Sequence, residues 1–150
     1  MNRARLGRQL AADDGSTLPL TIFYAFLSLA LVLMVVAATS LYVERKRLFT
    51  LADGAALVGA EAFALDDVTP TASGYRPTLH SAQVATAVGD YLSGIPHGTF
   101  ESLVVERAET VDGRSATVSL SAYWRPPLVS WLLPSGLRIE VTAVGRSVFS

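Results

Sequence analysis

Residues 18–43 read LPLTIFYAFLSLALVLMVVAATSLYV, a run of 26 residues without a charged side chain. As an α-helix, with a rise of ~1.5 Å per residue, this run would be about 39 Å long, which exceeds the ~30 Å hydrocarbon core of a bilayer. Because lipid offers no hydrogen bonds to an exposed backbone, a segment that crosses it alone must be helical. The sequence therefore predicts one transmembrane helix.

Two other interpretations of this run are disfavoured. A secretory signal has a shorter apolar region of ~7–15 residues, although Ala37–Thr39 resembles a small-residue cleavage site. A buried soluble helix would need a large domain around it, and only about 100 residues follow, many with the alternating polarity of strands.

Positive charges flank the run on both sides, so they do not decide which end of the span is cytoplasmic. Arg3, Arg5 and Arg8 precede it, and Arg45–Arg47 follow it, so the rule that the basic side stays cytoplasmic gives a tie. The short N-terminal segment cannot fold, whereas the C-terminal segment holds a domain, so we expect a cytoplasmic N-terminus and an external C-terminus. The expected divisions are a cytoplasmic segment at 1–17, the span at 18–43, a juxtamembrane helix extension at 44–64 and an extracytoplasmic α/β domain at 65–150.

Composition excludes several classes of function. The chain of 150 residues has no cysteine, which rules out disulfides, thiolate metal sites and a cysteine nucleophile. Residues 1–47 carry six basic and three acidic side chains, a net charge of +3, whereas residues 48–150 carry six and ten, a net charge of −4. Since nucleic-acid binding needs a clustered basic face, we expect no nucleic-acid partner.

Apolar residues continue at helical spacing beyond the basic cluster, so we expect the helix to run on to about residue 64. Small residues line this extension: Ala52, Ala55, Ala56, Gly59 and Ala60. Such a ridge lets another backbone approach closely. Two occupants stay open, namely the protein's own domain and another subunit.

The remaining sequence predicts an α+β domain. Residues 66–77 are rich in turn formers and are interpreted as a loop or linker. Thr78 is the expected N-cap of a second helix, which ends at Ser93–Pro96. Its apolar stripe is Leu79, Ala82, Val84, Ala85, Val88, Tyr91 and Leu92.

Strand patterns follow at 100–111, 115–124 and 139–149, and Asp112–Arg114 is a typical hairpin turn between the first two. The second strand alternates, with Ala116, Val118, Leu120, Ala122 and Trp124 on one face and Ser115, Thr117, Ser119, Ser121 and Tyr123 on the other. We therefore expect an antiparallel sheet of about three strands with one buried face, covered by the second helix.

An apolar insert lies between two proline positions at 126–134. Leu128, Trp131 and Leu132 give it a large hydrophobic surface. Two interpretations stay open: a loop folded over the sheet edge, or a patch that faces a partner or dips into the membrane.

No catalytic constellation is present in the sequence. His80 and His97 lack metal-ligand spacing and are expected at the surface, and Asp66–Asp67 is expected to be solvated. Motifs of the GxSxG, GxxxxGK and GxGxxG types are missing. We therefore expect no enzyme activity, no cofactor, no metal site and no small-molecule substrate.

The order of three motifs resembles the TadE/TadG-like proteins of Tad (Flp-type) pilus systems. Asp13–Ser16 precedes the apolar run, Leu41–Leu48 (LYVERKRL) follows its core, and Leu51–Ala60 (LADGAALVGA) is similar to the family's Ala-rich helix. The resemblance covers about residues 13–63. The high content of Ala, Val, Leu and Arg is similar to that of actinobacterial members.

The resemblance implies a structural component of pilus biogenesis in the envelope, with membrane lipid and other pilin or Tad assembly subunits as partners. In pilin-like members a prepilin peptidase cuts after a glycine, which would be Gly15 here and would make Ser16 the new N-terminus. A glutamate five residues later aids assembly in those members, but this chain has Leu20 there. An unprocessed anchor and a processed minor pilin both stay open, as does a membrane-tethered binding or sensor module unrelated to pili.

Overall fold

The computed structural model describes residues 14–72, 74–96, 100–125 and 135–147, with side chains from residue 17 onward. Within these ranges it is an α+β protein, as predicted. By contact clustering the chain divides into two compact units, Met1–Thr39 and Ser40–Ser150. The second unit therefore includes the whole segment, 44–64, that was expected to extend beyond the membrane.

The first helix, α1, runs without interruption from Asp14 to Ala60, a length of 47 residues. This confirms the prediction of one long helix through the apolar run and the basic cluster. The helix ends about four residues earlier than expected. The Glu61 amide is shared between the carbonyls of Leu57 and Val58, and the Ala62 amide bonds to Gly59, so the ladder tightens into 3₁₀-type bonds and stops.

The segment 66–77 is not a simple linker, and that prediction was wrong. A 3₁₀ turn at Leu65–Asp67 leads into strand β1, Val68–Thr71, which pairs antiparallel with strand β2, Gly74–Pro77. The Thr71 hydroxyl donates to the Gly74 carbonyl at 2.7 Å, beside the turn. The same turn-forming residues that suggested a linker close a short hairpin.

The second helix, α2, spans Ser81–Gly94, with His80 rather than Thr78 at the N-cap position. Val84, Val88 and Leu92 recur every four residues and are buried on one face. Leu79 is also buried and Tyr91 is half-buried, whereas the predicted stripe members Ala82 and Ala85 are exposed.

The main sheet has three antiparallel strands in the order β3-β4-β5. Their bounds are Glu101–Thr110 for β3, Ser115–Trp124 for β4 and Leu137–Arg146 for β5. The β3–β4 turn is held by Asp112, whose carboxylate accepts from the amides of Arg114 and Ser115 at 2.9 and 2.7 Å. Gly113, at φ +67°, supplies the left-handed residue that this turn needs.

One detail of the predicted sheet was wrong. Ser119 and Ser121, assigned to the solvent face of β4, are buried because β4 is the central strand. Their hydroxyl groups are satisfied there: Ser119 bonds to Thr142 at 2.8 Å, and Ser121 donates to Glu106 at 2.6 Å. The alternation of apolar residues on the opposite face is as expected.

The core lies between the apolar sheet face, α2 and the C-terminal part of α1. Its buried residues include Leu48, Val84, Val88, Val118 and Leu120, each with no exposed surface. The second helix covers the sheet as expected, and residues 48–60 of α1 are part of the same core.

Candidate functional site

The small-residue ridge of α1 packs on the protein's own domain. Its members, Ala52, Ala55, Ala56, Gly59 and Ala60, are all buried. A Cβ atom added at Gly59 would lie 3.1–3.3 Å from methyl groups of Val84, Ala116 and Val88. Of the two occupants left open by the sequence, the structure places α2 and the sheet against this ridge.

Gly145 of β5 lies directly against the backbone of α1. A Cβ atom there would overlap the backbone carbonyl oxygen of Ala56 and lie 2.9 Å from the Leu57 nitrogen. Sequence reasoning missed this residue. The available signal was a glycine inside an alternating strand pattern, which often marks a close backbone approach.

A second contact fixes the beginning of this packed segment. The Trp124 indole N–H donates to the Ser40 hydroxyl at 3.3 Å. Between Ser40 and Ala56 the helix rises about 24 Å, at ~1.5 Å per residue. The sheet is therefore attached to α1 at both ends of this stretch, by a hydrogen bond at Ser40 and by backbone packing at Ala56.

The apolar side chains of the earlier part of α1 are exposed. Exposed large residues there are Leu18, Leu20, Ile22, Phe23, Tyr24, Phe26, Leu27, Leu29, Leu31, Val32, Met34, Val35 and Val36. Among the described residues, Thr17–Ala60 is the single helix long and apolar enough to cross a membrane. Such a surface requires lipid or other apolar helices around it.

The outer face of the sheet carries a network of paired charges beside the exposed side chains of Val104, Tyr123 and Val144. The Arg138 guanidinium donates to Glu106 at 2.7 Å and lies 3.8 Å from Glu140. The hydroxyl of Ser121, followed by Arg138, lowers the pKa of Glu106 below its ordinary value. This network makes the part of the outer face around Arg138 charged.

A smaller polar cluster joins the 3₁₀ turn to α2. The Gln83 amide donates to Asp67 at 3.0 Å, and His80 Nε2 lies 3.3 Å from the other carboxylate oxygen. The Gln83 hydrogen bond is the main cause of a lowered Asp67 pKa, with His80 contributing. Asp66 is exposed as expected, but Asp67 is half-buried and bonded. Within the described ranges no group of three potential metal-ligating side chains occurs.

The other predicted sites are only partly described. Gly15 and Ser16 lie in the first turn of α1, without described side chains. The apolar insert residues Leu128, Trp131 and Leu132, and also His97, lie outside the described residues.

An α+β fold with one apolar helix fits a single-pass membrane protein. Residues 15–62 match the model of the family described as putative Flp pilus-assembly TadE/G-like, so the chain carries a TadE/G-like segment there. The match coincides with α1 and supports involvement in Tad pilus assembly. No curated protein and no solved structure matches the chain.

Proposed function

We propose that this protein is a non-enzymatic structural component of Tad pilus biogenesis that is anchored in the membrane by α1 and is not processed. The observation that carries the proposal is the TadE/G-like match at 15–62, which falls on the helix with the uncovered apolar surface. Lipid covers that surface, and the C-terminal domain contacts pilin or assembly subunits outside the cell.

The helix α1 has an exposed apolar part and a part that packs on the domain, and this difference supports an anchoring role. The ridge at 52–60 is already occupied by the protein's own sheet, so it is not offered to another subunit. The contacts with other subunits are therefore assigned to the apolar half of α1 and to the exposed surface of the domain. Packing of residues 48–60 of α1 against the sheet makes this part of the helix belong to the C-terminal domain, which leaves the apolar part of α1 as the anchor.

Retention of the full N-terminus is supported by Leu20. In the pilin-like proteins that the N-terminal motif resembles, the corresponding glutamate pairs with a charge during assembly, and a leucine cannot. One observation favours the alternative, a processed minor pilin: Pro19 has no N–H, so the Gly15 carbonyl lacks its α-helical hydrogen bond. That carbonyl belongs to the bond a prepilin peptidase would cut.

Deletion of the gene in its own host tests the role in pilus biogenesis. We expect loss of surface pili, with recovery when the wild-type chain is supplied. A Gly89→Ala variant serves as a second complementing chain. A Cβ atom there meets nothing within 4 Å, so this variant should restore pili as well as the wild type does. Unchanged pili after deletion would contradict the proposal and favour a tethered binding or sensor module.

Cysteine labelling tests the proposed orientation, because the native chain contains no cysteine. Leu65→Cys places a thiol at a side chain that is 89% exposed in the second unit. In intact cells it should react with a membrane-impermeant maleimide, whereas Gln9→Cys should react only after lysis. The reverse pattern would contradict a cytoplasmic N-terminus.

A further inference from the structure

A cavity of about 360 Å³ lies where the end of β2, the β3–β4 turn and the end of β5 meet. It is lined by Arg76, Pro77, Leu79, Asp112, Arg114, Arg146 and Ser147. The lining comes from three separate parts of the chain, so the cavity exists only in the folded domain. We call it the arginine pocket.

The arginines of this pocket differ from the others in the domain. Arg107, Arg125 and Arg138 each lie within 4.0 Å of a carboxylate on the sheet. Within the described part of the chain, Arg76, Arg114 and Arg146 make no such ion pair. The three arginines of the domain that have no carboxylate partner among the described residues are thus the three that line one cavity.

Asp112 does not neutralise this pocket by pairing with the arginines. Its carboxylate is engaged by the turn, through the amides of Arg114 and Ser115 and the Ser115 hydroxyl at 2.7 Å. Those bonds hold the pKa of Asp112 well below its usual range. No described residue accepts a side-chain hydrogen bond from these three guanidinium groups, so their donors can serve an external acceptor.

The pocket is cationic on a domain that is otherwise acidic, since residues 48–150 carry a net charge of −4. Leu79, which is 3% exposed, and the buried Pro77 give it an apolar wall. An apolar wall lowers the local dielectric and strengthens the attraction between a guanidinium and a bound anion. The volume falls in the lower part of the ~300–1,000 Å³ range of ligand pockets, which leaves room for more than one carboxylate.

We propose that the arginine pocket binds an acidic segment of a partner protein, with side-chain carboxylates of that segment paired to Arg76, Arg114 and Arg146. The choice of a protein partner rests on the proposed function in pilus assembly, whereas the choice of an anion rests on the unpaired arginines alone. Binding of this kind is strong at low ionic strength and weakens as salt is added.

The test uses the full chain in neutral detergent and a fluorescein-labelled peptide of alternating glutamate and glycine, followed by fluorescence anisotropy. The triple variant Arg76→Gln, Arg114→Gln, Arg146→Gln should bind the peptide at least about tenfold more weakly, because three exposed ion pairs with the peptide are lost together. Since these arginines hold no ion pair with a described residue, the variant should melt like the wild type in circular dichroism.

The matched control is the triple variant Arg107→Gln, Arg125→Gln, Arg138→Gln, which removes the same charge from paired arginines. It should bind within about twofold of the wild type if the pocket, rather than bulk charge, holds the peptide. A peptide with glutamine in place of glutamate should not bind.

Several results would overturn the inference. These are equal losses in the two triple variants, unchanged binding in the pocket variant, or stronger competition by inorganic phosphate than by unlabelled peptide. Binding to phosphatidylglycerol vesicles without binding to the peptide would assign the pocket to a lipid headgroup. If peptide binding fails while deletion still abolishes pili, the inference is wrong and the proposed function stands.

Discussion

Replacing Gly145 with alanine should destabilise the domain, because this glycine lies directly against the backbone of α1. The added Cβ atom would overlap the Ala56 carbonyl oxygen and lie 2.9 Å from the Leu57 nitrogen. These are backbone atoms of a packed helix, which cannot rotate away as the end of a flexible side chain can. Relief therefore requires the helix and the sheet to separate.

The expected change in the free energy of unfolding is the difference between two opposing contributions. Overpacking of a tight core costs about 1–3 kcal/mol, and a backbone clash belongs at the upper end of that range. Loss of glycine's extra freedom in the unfolded chain offsets about 0.5–1 kcal/mol. The expected net loss in the free energy of unfolding is therefore about 2 kcal/mol.

Gly89→Ala in α2 is the matched control, since the same methyl group enters open space in a helix. No clash arises here, and alanine loses less conformational freedom than glycine when the helix forms, so the free energy of unfolding should rise by about 0.5–1 kcal/mol. Denaturant unfolding of the full chain in mild detergent, followed by tryptophan fluorescence, measures both. Equal stability of the Gly145→Ala variant and the wild type would refute the packing of β5 on α1.

Three further changes probe the same domain. Leu48→Ala, at a side chain with no exposed surface, should cost about 3 kcal/mol in the same unfolding assay, and a loss below about 1 kcal/mol would contradict its burial. Trp124→Phe and Ser40→Ala should each lower the free energy of unfolding by about 1 kcal/mol, measured by far-ultraviolet circular dichroism during unfolding. Because the two side chains share one hydrogen bond, the double variant should lose no more stability than the more destabilised single variant. Since the pKa of Asp67 is lowered on folding, its contribution is present above the ordinary carboxyl pKa of 3.8 and lost as pH falls through the folded value. Asp67→Asn should therefore reduce the loss of stability as the pH falls into the acid range. If the pH dependence is unchanged, the hydrogen bond from Gln83 does not stabilise the ionised form of Asp67.

The elements with strong periodicity could be predicted from the sequence. The apolar run, the second helix and the three strands all occur, and the bounds of β4 are the ones its alternation predicted. Long apolar runs and alternating patterns are informative because the spacing of the buried residues differs between a helix and a strand.

The features that were missed depend on tertiary context. Burial of Ser119 follows from the central position of β4, which its own alternating pattern does not reveal. The hairpin at 68–77 was hidden because its turn residues are equally typical of linkers. The arginine pocket is formed by residues as far apart in sequence as Arg76 and Arg146, and no local motif joins them.

The most direct test of the anchored role is the state of the Gly15–Ser16 peptide bond in native protein, measured by mass spectrometry on membranes and on sheared surface filaments separately. We expect the bond to be intact and the protein to be found in the membrane fraction. A mature chain starting at Ser16 in filaments would contradict the anchor and identify a minor pilin, and a chain starting near Thr39 would contradict the membrane span itself.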